Sequence, residues 1–297
     1  MLLGENELIL GLIKSLRPHH WTKNLLVFAG YIFTIQYPHP PGTILRVCAA
    51  FAAFCAISGV VYIINDIADI ERDRKHPKKC RRPIASGSVP VSVALAFALV
   101  LAGAALAGGY WLGLGFGVLL STYFVLMLAY SALLKHVVIV DLLVIAAGFV
   151  IRASAGAVVI NVQISPWLLV CTTLLALFLG LAKRRGELFQ LEEGGEFRQT
   201  LTQYNGPMLD QMLSISAAAC LMGYFLYTFS PSPITGKTHT YMMATVPFVI
   251  YGIFRYLFLI YNRNAGDSPE RLLIEDKPLL LSVVLYVITA VIALRIE

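Results

Sequence analysis

Charge is what this chain has least of. Asp, Glu, Lys and Arg make up 13% of its 297 residues against 58% hydrophobic, and the mean hydropathy is +0.75. A water-soluble domain carries roughly a quarter charged residues, so that class is excluded. Paired cysteines are missing as well. The five present, at 48, 55, 80, 171 and 220, form no CxxC and have no histidine at metal spacing, which excludes a thiolate zinc site. Four of them lie inside apolar blocks as small hydrophobes, and Cys80 stands among bases as a bystander thiol. There is no phosphate loop either: the glycines at 103, 108, 109, 113, 115 and 117 follow no strand and lead to no Lys-Ser/Thr pair. They suit close helix packing around a tight turn. Nor is a signal peptide expected, since Glu5 and Glu7 precede the first apolar residues and no small-residue cleavage site follows.

The chain does have long apolar runs. A membrane helix needs about twenty apolar residues, and nine blocks qualify: Trp21 to Tyr37, Thr43 to Asn65, Val89 to Tyr110, Trp111 to Leu134, Val137 to Val162, Trp167 to Ala182, Met208 to Phe229, Tyr241 to Tyr261, and Pro278 to Leu294. This predicts an all-α, polytopic membrane protein of nine transmembrane helices forming one domain over 1–297. Ahead of them, Leu8, Ile9, Leu12, Ile13 and Leu16 share a helical face, as in a helix lying on the membrane surface within 1–20.

The net charge of +6 comes from bases gathered in short loops between blocks, so nucleic acid is set aside as a partner. The links after blocks two, four, six and eight hold the bases, near 66–88, at Lys135 and His136, near 183–207 with Arg198, and near 262–277 with Arg263, Glu270, Arg271, Asp276 and Lys277. The other links carry only Lys237. By the positive-inside rule the N-terminus and the basic loops are cytoplasmic.

One polar stretch stands out, NDIADIERDRKHPKKCRRP from Asn65 to Pro83. Steps of three, four and seven residues fall on one helix face, so Asn65, Asp66, Asp69 and Asp73 are expected to converge. Hard oxygen ligands in that number suit a Mg²⁺ ion completed by substrate phosphates. The bases that trail them, including Lys78, Arg81 and Arg82, suit phosphate oxygens. A plain solvated loop is the alternative, although it does not require acids and bases in separate blocks.

Ionisable residues inside a membrane span are costly and face a cavity or a partner. The fifth block has two, Asp141 and Arg152, on one face and about 16 Å apart along the axis, too far to pair with each other. At the end of block six Lys183 and Glu187 stand four apart, with Arg184 between them, as an ion pair or as a charged wall opposite the acids. Tyr130, Ser131 and Lys135 close block four, and Arg17, Trp21, Lys23 and Asn24 open block one.

These stretches resemble a known family. NDxxDxxxD followed by RP on a bundle of about nine helices is similar to the UbiA-type intramembrane prenyltransferases, over nearly the whole chain. RPHHWTKNLLVFAG, NDIADIERDRKHPKKCRRPIASG, YSALLKHVVIVDLLVIAAGFVIRASAG, AKRRGEL and PERLLIEDKPLLL resemble its decaprenyl-phosphate phosphoribosyltransferase branch. General members carry a second aspartate-rich motif after the sixth helix; here that place reads KRRGEL. The resemblance implies Mg²⁺-dependent transfer of phosphoribose from phosphoribosyl pyrophosphate to a polyprenyl phosphate, for cell-wall arabinan synthesis, from a cytoplasm-facing polar cavity in the bacterial plasma membrane. Asn65, Asp66, Asp69 and Asp73 are then the metal site, with Asp66, Asp69, Asp73, Lys183 and Glu187 as catalytic candidates. Arg17, Lys23, Asn65, Lys78, Arg81, Arg82, Tyr130, Lys135, Asp141, Arg152, Lys183 and Arg184 are the substrate-binding candidates. A prenyltransferase with an aromatic or porphyrin acceptor, and a lipid or solute transporter, remain as alternatives. Association of identical copies is compatible with either.

Overall fold

The computed structural model describes residues 5–163, 165–192, 203–231, 240–263, 272–273 and 275–296. The bases and acid expected to matter at Arg198, Lys237, Glu270 and Arg271 lie outside those residues. Among the described residues eight helices are long and apolar enough to cross a membrane. In chain order, after an N-terminal α1 (Glu5–Ser15) and a short α2 (Ala29–Ile32), these are α3 (Thr43–Ala68), α5 (Val91–Leu112), α6 (Leu114–Ala132), α7 (Val140–Val159), α8 (Pro166–Glu192), α9 (Gly206–Phe229), α10 (Val246–Arg263) and α11 (Lys277–Ile296), with a short α4 (Ile70–Lys75) following α3. Most are hydrophobic around their whole circumference, which suits lipid on one side and protein on the other. Their ends follow local chemistry. Gly113, at φ 153°, makes the turn between α5 and α6. The Asn205 side chain accepts the Met208 N–H at 2.8 Å and so caps α9, and the proline of its first turn suits the helix start.

The ninth expected block, Trp21 to Tyr37, is present in a different form. Pro18–Phe28 is an eleven-residue 3-10 helix, which passes into the four-residue α2. Runs of 3-10 helix this long are uncommon because their hydrogen bonds are poorer, so tertiary packing must hold this one. A glycine on each side permits the packing: a Cβ on Gly156 of α7 would lie 1.9 Å from the Val27 carbonyl oxygen, and one on Gly30 of α2 would lie 2.8 Å from the Ala157 Cα. The backbone of the irregular segment therefore rests on the backbone of α7.

Besides a small cluster of Met242, Ala290, Ala293 and Leu294, two larger apolar cores result. One joins α3, α5, α6 and α7 around Phe54, Ile57, Phe116 and Leu120; the other joins α8, α9 and α10 around Phe178, Leu209, Leu213 and Leu259. The residues Val159 of α7 and Leu142, near its start, belong to the first and second cores respectively, so this one helix ties the halves together. Helix α1 presents Leu8 and Leu12 to the first core, as does Leu16 just after it, whereas Ile9, Leu10 and Ile13 are about half exposed. The face expected to be shared by five apolar residues is thus split between protein and surroundings, as a surface-lying helix requires.

Candidate active site

Because the long helices alternate in direction, the C-terminal ends of α3, α6 and α8 and the N-terminal ends of α7 and α9 gather at one end of the bundle, with the acidic stretch among them. Helix α3 carries Asp66 in its last turn, and Asp66 is 2% exposed. Its Oδ1 accepts from Arg17 Nη2 at 2.5 Å and from Arg82 Nη1 at 3.0 Å. The same Arg82 nitrogen donates to Oδ2 of Asp73, which is also 2% exposed. The two buried carboxylates, Asp66 from α3 and Asp73 from α4, thus meet on one guanidinium, a convergence the sequence led one to expect.

Asp69 departs from that expectation. Helix α3 stops at Ala68, and Asp69 adopts φ −96°, ψ 9° between α3 and α4. This bridge conformation breaks the helical rotation, and the Asp69 carboxylate turns toward Lys135 Nζ, 3.8 Å away. Asn65 is half-buried beside them. Lys78 and Arg81 are exposed on the following hairpin, which His76 shapes by accepting the Lys78 and Lys79 N–H groups at its Nδ1.

The oxygens of Asp66 and Asp73 are hard donors with a cation already between them, so the donor set fits a divalent ion such as Mg²⁺. Among the described residues no three acidic, histidine or cysteine side chains close around a single point. Two carboxylates leave most of such an ion's coordination sphere open, so it would need further oxygen ligands.

The second charged group ties α7 to α8. Asp141, wholly buried in the first turn of α7, accepts from Arg184 at 2.8 and 2.9 Å, and Arg184 also binds Glu187. Glu187 was expected to face Lys183 and instead takes the residue three before it. The reason is depth: Arg184 is 3% exposed and must be neutralised, whereas Lys183 is half-buried and has no ionic partner among the described residues. Arg152, deeper in α7, donates to Asn24 Oδ1 at 2.7 Å, to the Gly148 carbonyl at 3.0 Å and to the Tyr123 hydroxyl at 2.6 Å, and it lies over the Tyr123 and Phe149 rings. It is a strut between α6, α7 and the 3-10 segment, which Asn24 fastens to α3 through Cys55 and Ser58. Lys23 and Tyr130 are half-buried at the same polar end.

Sequence reasoning missed Tyr204. Its hydroxyl accepts the Ile139 N–H at 2.9 Å and lies 3.5 Å from Asp141 Oδ1. Burial above all pushes this phenol above its ordinary range, with the Asp141 carboxylate pushing the same way, so it stays a neutral donor. Tyr62, under the Arg17 guanidinium at 4.8 Å, was missed too. No spacing rule points to either, because both partners are distant in sequence.

The bundle gathers buried acids, the bases that face them and the half-buried Lys183 at one end, an arrangement suited to an intramembrane transferase of phosphorylated substrates, and the chain belongs to the UbiA prenyltransferase family, which it matches over residues 25–284. It is 35% identical to the decaprenyl-phosphate phosphoribosyltransferase of Mycolicibacterium smegmatis, over 92% of this chain and 89% of that one. It is 32% identical to the enzyme of the same name from Mycobacterium tuberculosis, over 95% and 94% of the two chains. In fold it superposes on a UbiA homolog from Archaeoglobus fulgidus bound to GPP and Mg²⁺, with a TM-score of 0.69 at 16% identity, covering 97% of this chain and 100% of that one. It is a multi-pass membrane protein.

Proposed function

We propose that this protein transfers 5-phosphoribose from phosphoribosyl pyrophosphate to a polyprenyl phosphate, decaprenyl phosphate in the first instance, with release of diphosphate. The observation that carries the reading is the similarity at 32–35% identity over nearly the full length of both chains to enzymes named for that activity. The charge pattern supports it. A prenyl donor brings one diphosphate, whereas phosphoribosyl pyrophosphate brings a diphosphate and a 5-phosphate, and the acceptor adds a third anionic group. Cations free of carboxylates are needed, and Lys183 stands where the general family carries acids.

In this mechanism Asp66 and Asp73, with Asp69 and Asn65 beside them, would hold Mg²⁺, which would supply charge screening for the leaving diphosphate. Arg17 and Arg82 pass from the carboxylates to the diphosphate oxygens, for which a guanidinium fork is suited. Lys135 and Lys183 bind the remaining phosphates, with Lys23, Lys78 and Arg81 drawing the donor in. An oxygen of the lipid phosphate attacks the anomeric carbon of the ribose as the bond from that carbon to the diphosphate oxygen breaks, through an oxocarbenium-like state. The bonding pair leaves with the diphosphate. A phosphate monoester is already ionised at neutral pH, so no general base is required, and catalysis rests on charge stabilisation and alignment. Glu187 and Asp141 act by fixing Arg184, and Arg152 by fixing the 3-10 segment that carries Lys23. The site faces the cytoplasm of the bacterial plasma membrane, where phosphorylated sugars are made.

The test is direct. Purified protein is given radiolabelled phosphoribosyl pyrophosphate, decaprenyl phosphate and Mg²⁺, and label entering the lipid phase is scored with and without chelator. Chelator-sensitive transfer is expected. Absence of transfer, with incorporation from a prenyl diphosphate into an aromatic acceptor in its place, overturns the reading.

A further inference from the structure

The turn between α6 and α7 is strained, and one hydroxyl from a distant segment holds it. Ile139 adopts φ 69°, ψ −44°. For a β-branched residue this is an outlier, since Cβ is crowded wherever φ is positive. Such a conformation persists only when the surroundings over-determine it, and it marks a site where geometry matters more than local stability. Ile139 is also the residue that caps α7, and its side chain makes no capping bond. Its N–H is instead taken by Tyr204, which lies just before α9 and is 4% exposed.

The same turn presents Lys135. From Leu134–His136, a single turn of 3-10 helix, the chain runs through Val137 to Ile139 and into α7 by consecutive backbone bonds, Val137 N–H to the Leu134 carbonyl, Asp141 N–H to that of Val137 and Leu142 N–H to that of Ile139. There is no slack between Lys135 and Ile139, so rotating one moves the other. Lys135 is 14% exposed and reaches Asp69 at 3.8 Å. On the far side of the turn the same Tyr204 hydroxyl faces Asp141, which is locked to Arg184. One phenolic oxygen therefore fixes the strained cap of α7 relative to the α7–α8 ion pair.

We propose that Tyr204 is a positioning residue for the transfer: its hydroxyl holds the strained Ile139 turn in place, and through that turn it sets the Lys135 ammonium against the acidic motif. The inference rests on the reading of the acids and Lys135 as the diphosphate site. Tyr204 touches no substrate in this scheme. It acts through Lys135, so its loss weakens diphosphate binding and transfer together without removing a reacting group.

The test uses the full-length protein in nanodiscs with three variants, Tyr204→Phe, Ile139→Gly and the double variant. Two quantities are read: the affinity for Mg²⁺-diphosphate by calorimetry, and kcat/KM for phosphoribosyl pyrophosphate. Tyr204→Phe keeps the ring in its apolar pocket and removes only the hydroxyl, and both quantities are expected to fall about tenfold, the worth of one hydrogen bond. Glycine accepts a positive φ without a Cβ to crowd, so Ile139→Gly alone is expected to match wild type. In the Tyr204→Phe background it is expected to restore both quantities to within about twofold, because an unstrained turn no longer needs the hydroxyl. Wild-type values in Tyr204→Phe overturn the proposal, and so does a double variant no better than Tyr204→Phe, since a merely structural loss would not be mended by a glycine at 139. Failure of the phosphoribosyl reading shows separately, as wild-type protein that binds Mg²⁺-diphosphate but transfers no phosphoribose. The calorimetric comparison among variants then still decides the role of Tyr204.

Discussion

Replacing Arg17 by Gln should change metal binding in opposite directions depending on whether diphosphate is present. In the structure Asp66 Oδ1 is shared by Arg17 and Arg82, and the Arg17 side chain is 18% exposed. A bare divalent ion that uses this oxygen must displace the guanidinium. A hydrogen bond to a charged group is worth about 1.5–3 kcal/mol, and after some loss to solvent screening the removal of Arg17 should tighten bare-metal binding by about tenfold, at 1.4 kcal/mol per decade. With diphosphate present the same arginine has an anion to move to. It already lies 4.8 Å over the Tyr62 ring, where a guanidinium can pivot without being desolvated afresh, and it hinges on a residue at φ 52° directly before Pro18, a conformation that proline disfavours in its predecessor. Loss of Arg17 should then weaken the metal-diphosphate complex by about tenfold, one charge-assisted bond. The assay is Mn²⁺ binding followed by electron paramagnetic resonance, with and without diphosphate, in wild type and Arg17→Gln. The Gln variant still has Arg82 on Asp66, so the protein should remain folded, which a thermal shift checks. Changes of the same sign in both titrations would refute the exchange of Arg17 between carboxylate and phosphate.

Three further outcomes follow from the same geometry. Asp69→Asn should abolish turnover while the protein still inserts and purifies, because metal-assisted stabilisation of the leaving diphosphate is worth several kcal/mol, about a thousandfold in rate or more; full activity in that variant removes Asp69 from the metal site. Lys183→Gln should raise KM for phosphoribosyl pyrophosphate by about tenfold and leave the thermal midpoint unchanged, since this base has no ionic partner among the described residues to lose. Arg184→Met should do the reverse and cost about 3–5 kcal/mol of stability, because Asp141 is left charged and wholly buried. Adding Asp141→Leu should recover part of it, as seen in thermal denaturation in detergent.

Much of this was legible in the sequence, for physical reasons. The bilayer imposes a length on every spanning helix, so apolar blocks of sufficient length report them without knowledge of their neighbours. Asp66 and Asp73 converge as expected, both on Arg82, although they stand on α3 and α4 either side of Asp69. What could not be read was set by contacts between residues distant in sequence. The helix ends at Ala68, so Asp69 leaves the shared face, although nothing in NDIADIERD marks an end there. Trp21 to Tyr37 has the composition of a span, and nothing within it reports that Pro18–Phe28 is a 3-10 helix or that Gly156 and Ala157 of α7 pack so close to Val27 and Gly30. Asp141 and Arg152 announced that each needed a partner, yet Arg184 and Asn24 are 43 and 128 positions away from them. Tyr204 gave no signal at all, since an isolated tyrosine in a link is ordinary until Ile139 is seen to be strained.

The bases of this protein divide according to what has already claimed them, and that division bears on how one fold changes substrate. Arg184 and Arg152 are 3% and 6% exposed and fully engaged, by carboxylates in one case and by an amide, a carbonyl and a phenol in the other. Moving either to a ligand would strand a buried group, so they set the frame and not the specificity. Arg17, Arg82 and Lys135 are partly exposed and sit on the acids of the motif, from which a metal and a phosphate can release them together. Lys183 is claimed by nothing among the described residues. A substrate with more phosphate than a prenyl diphosphate needs cations of the last two kinds, and adding them at the end of α8 leaves the apolar cores untouched. A change of donor class is then within reach of a few substitutions at the polar end, while the helices of the bundle keep their packing.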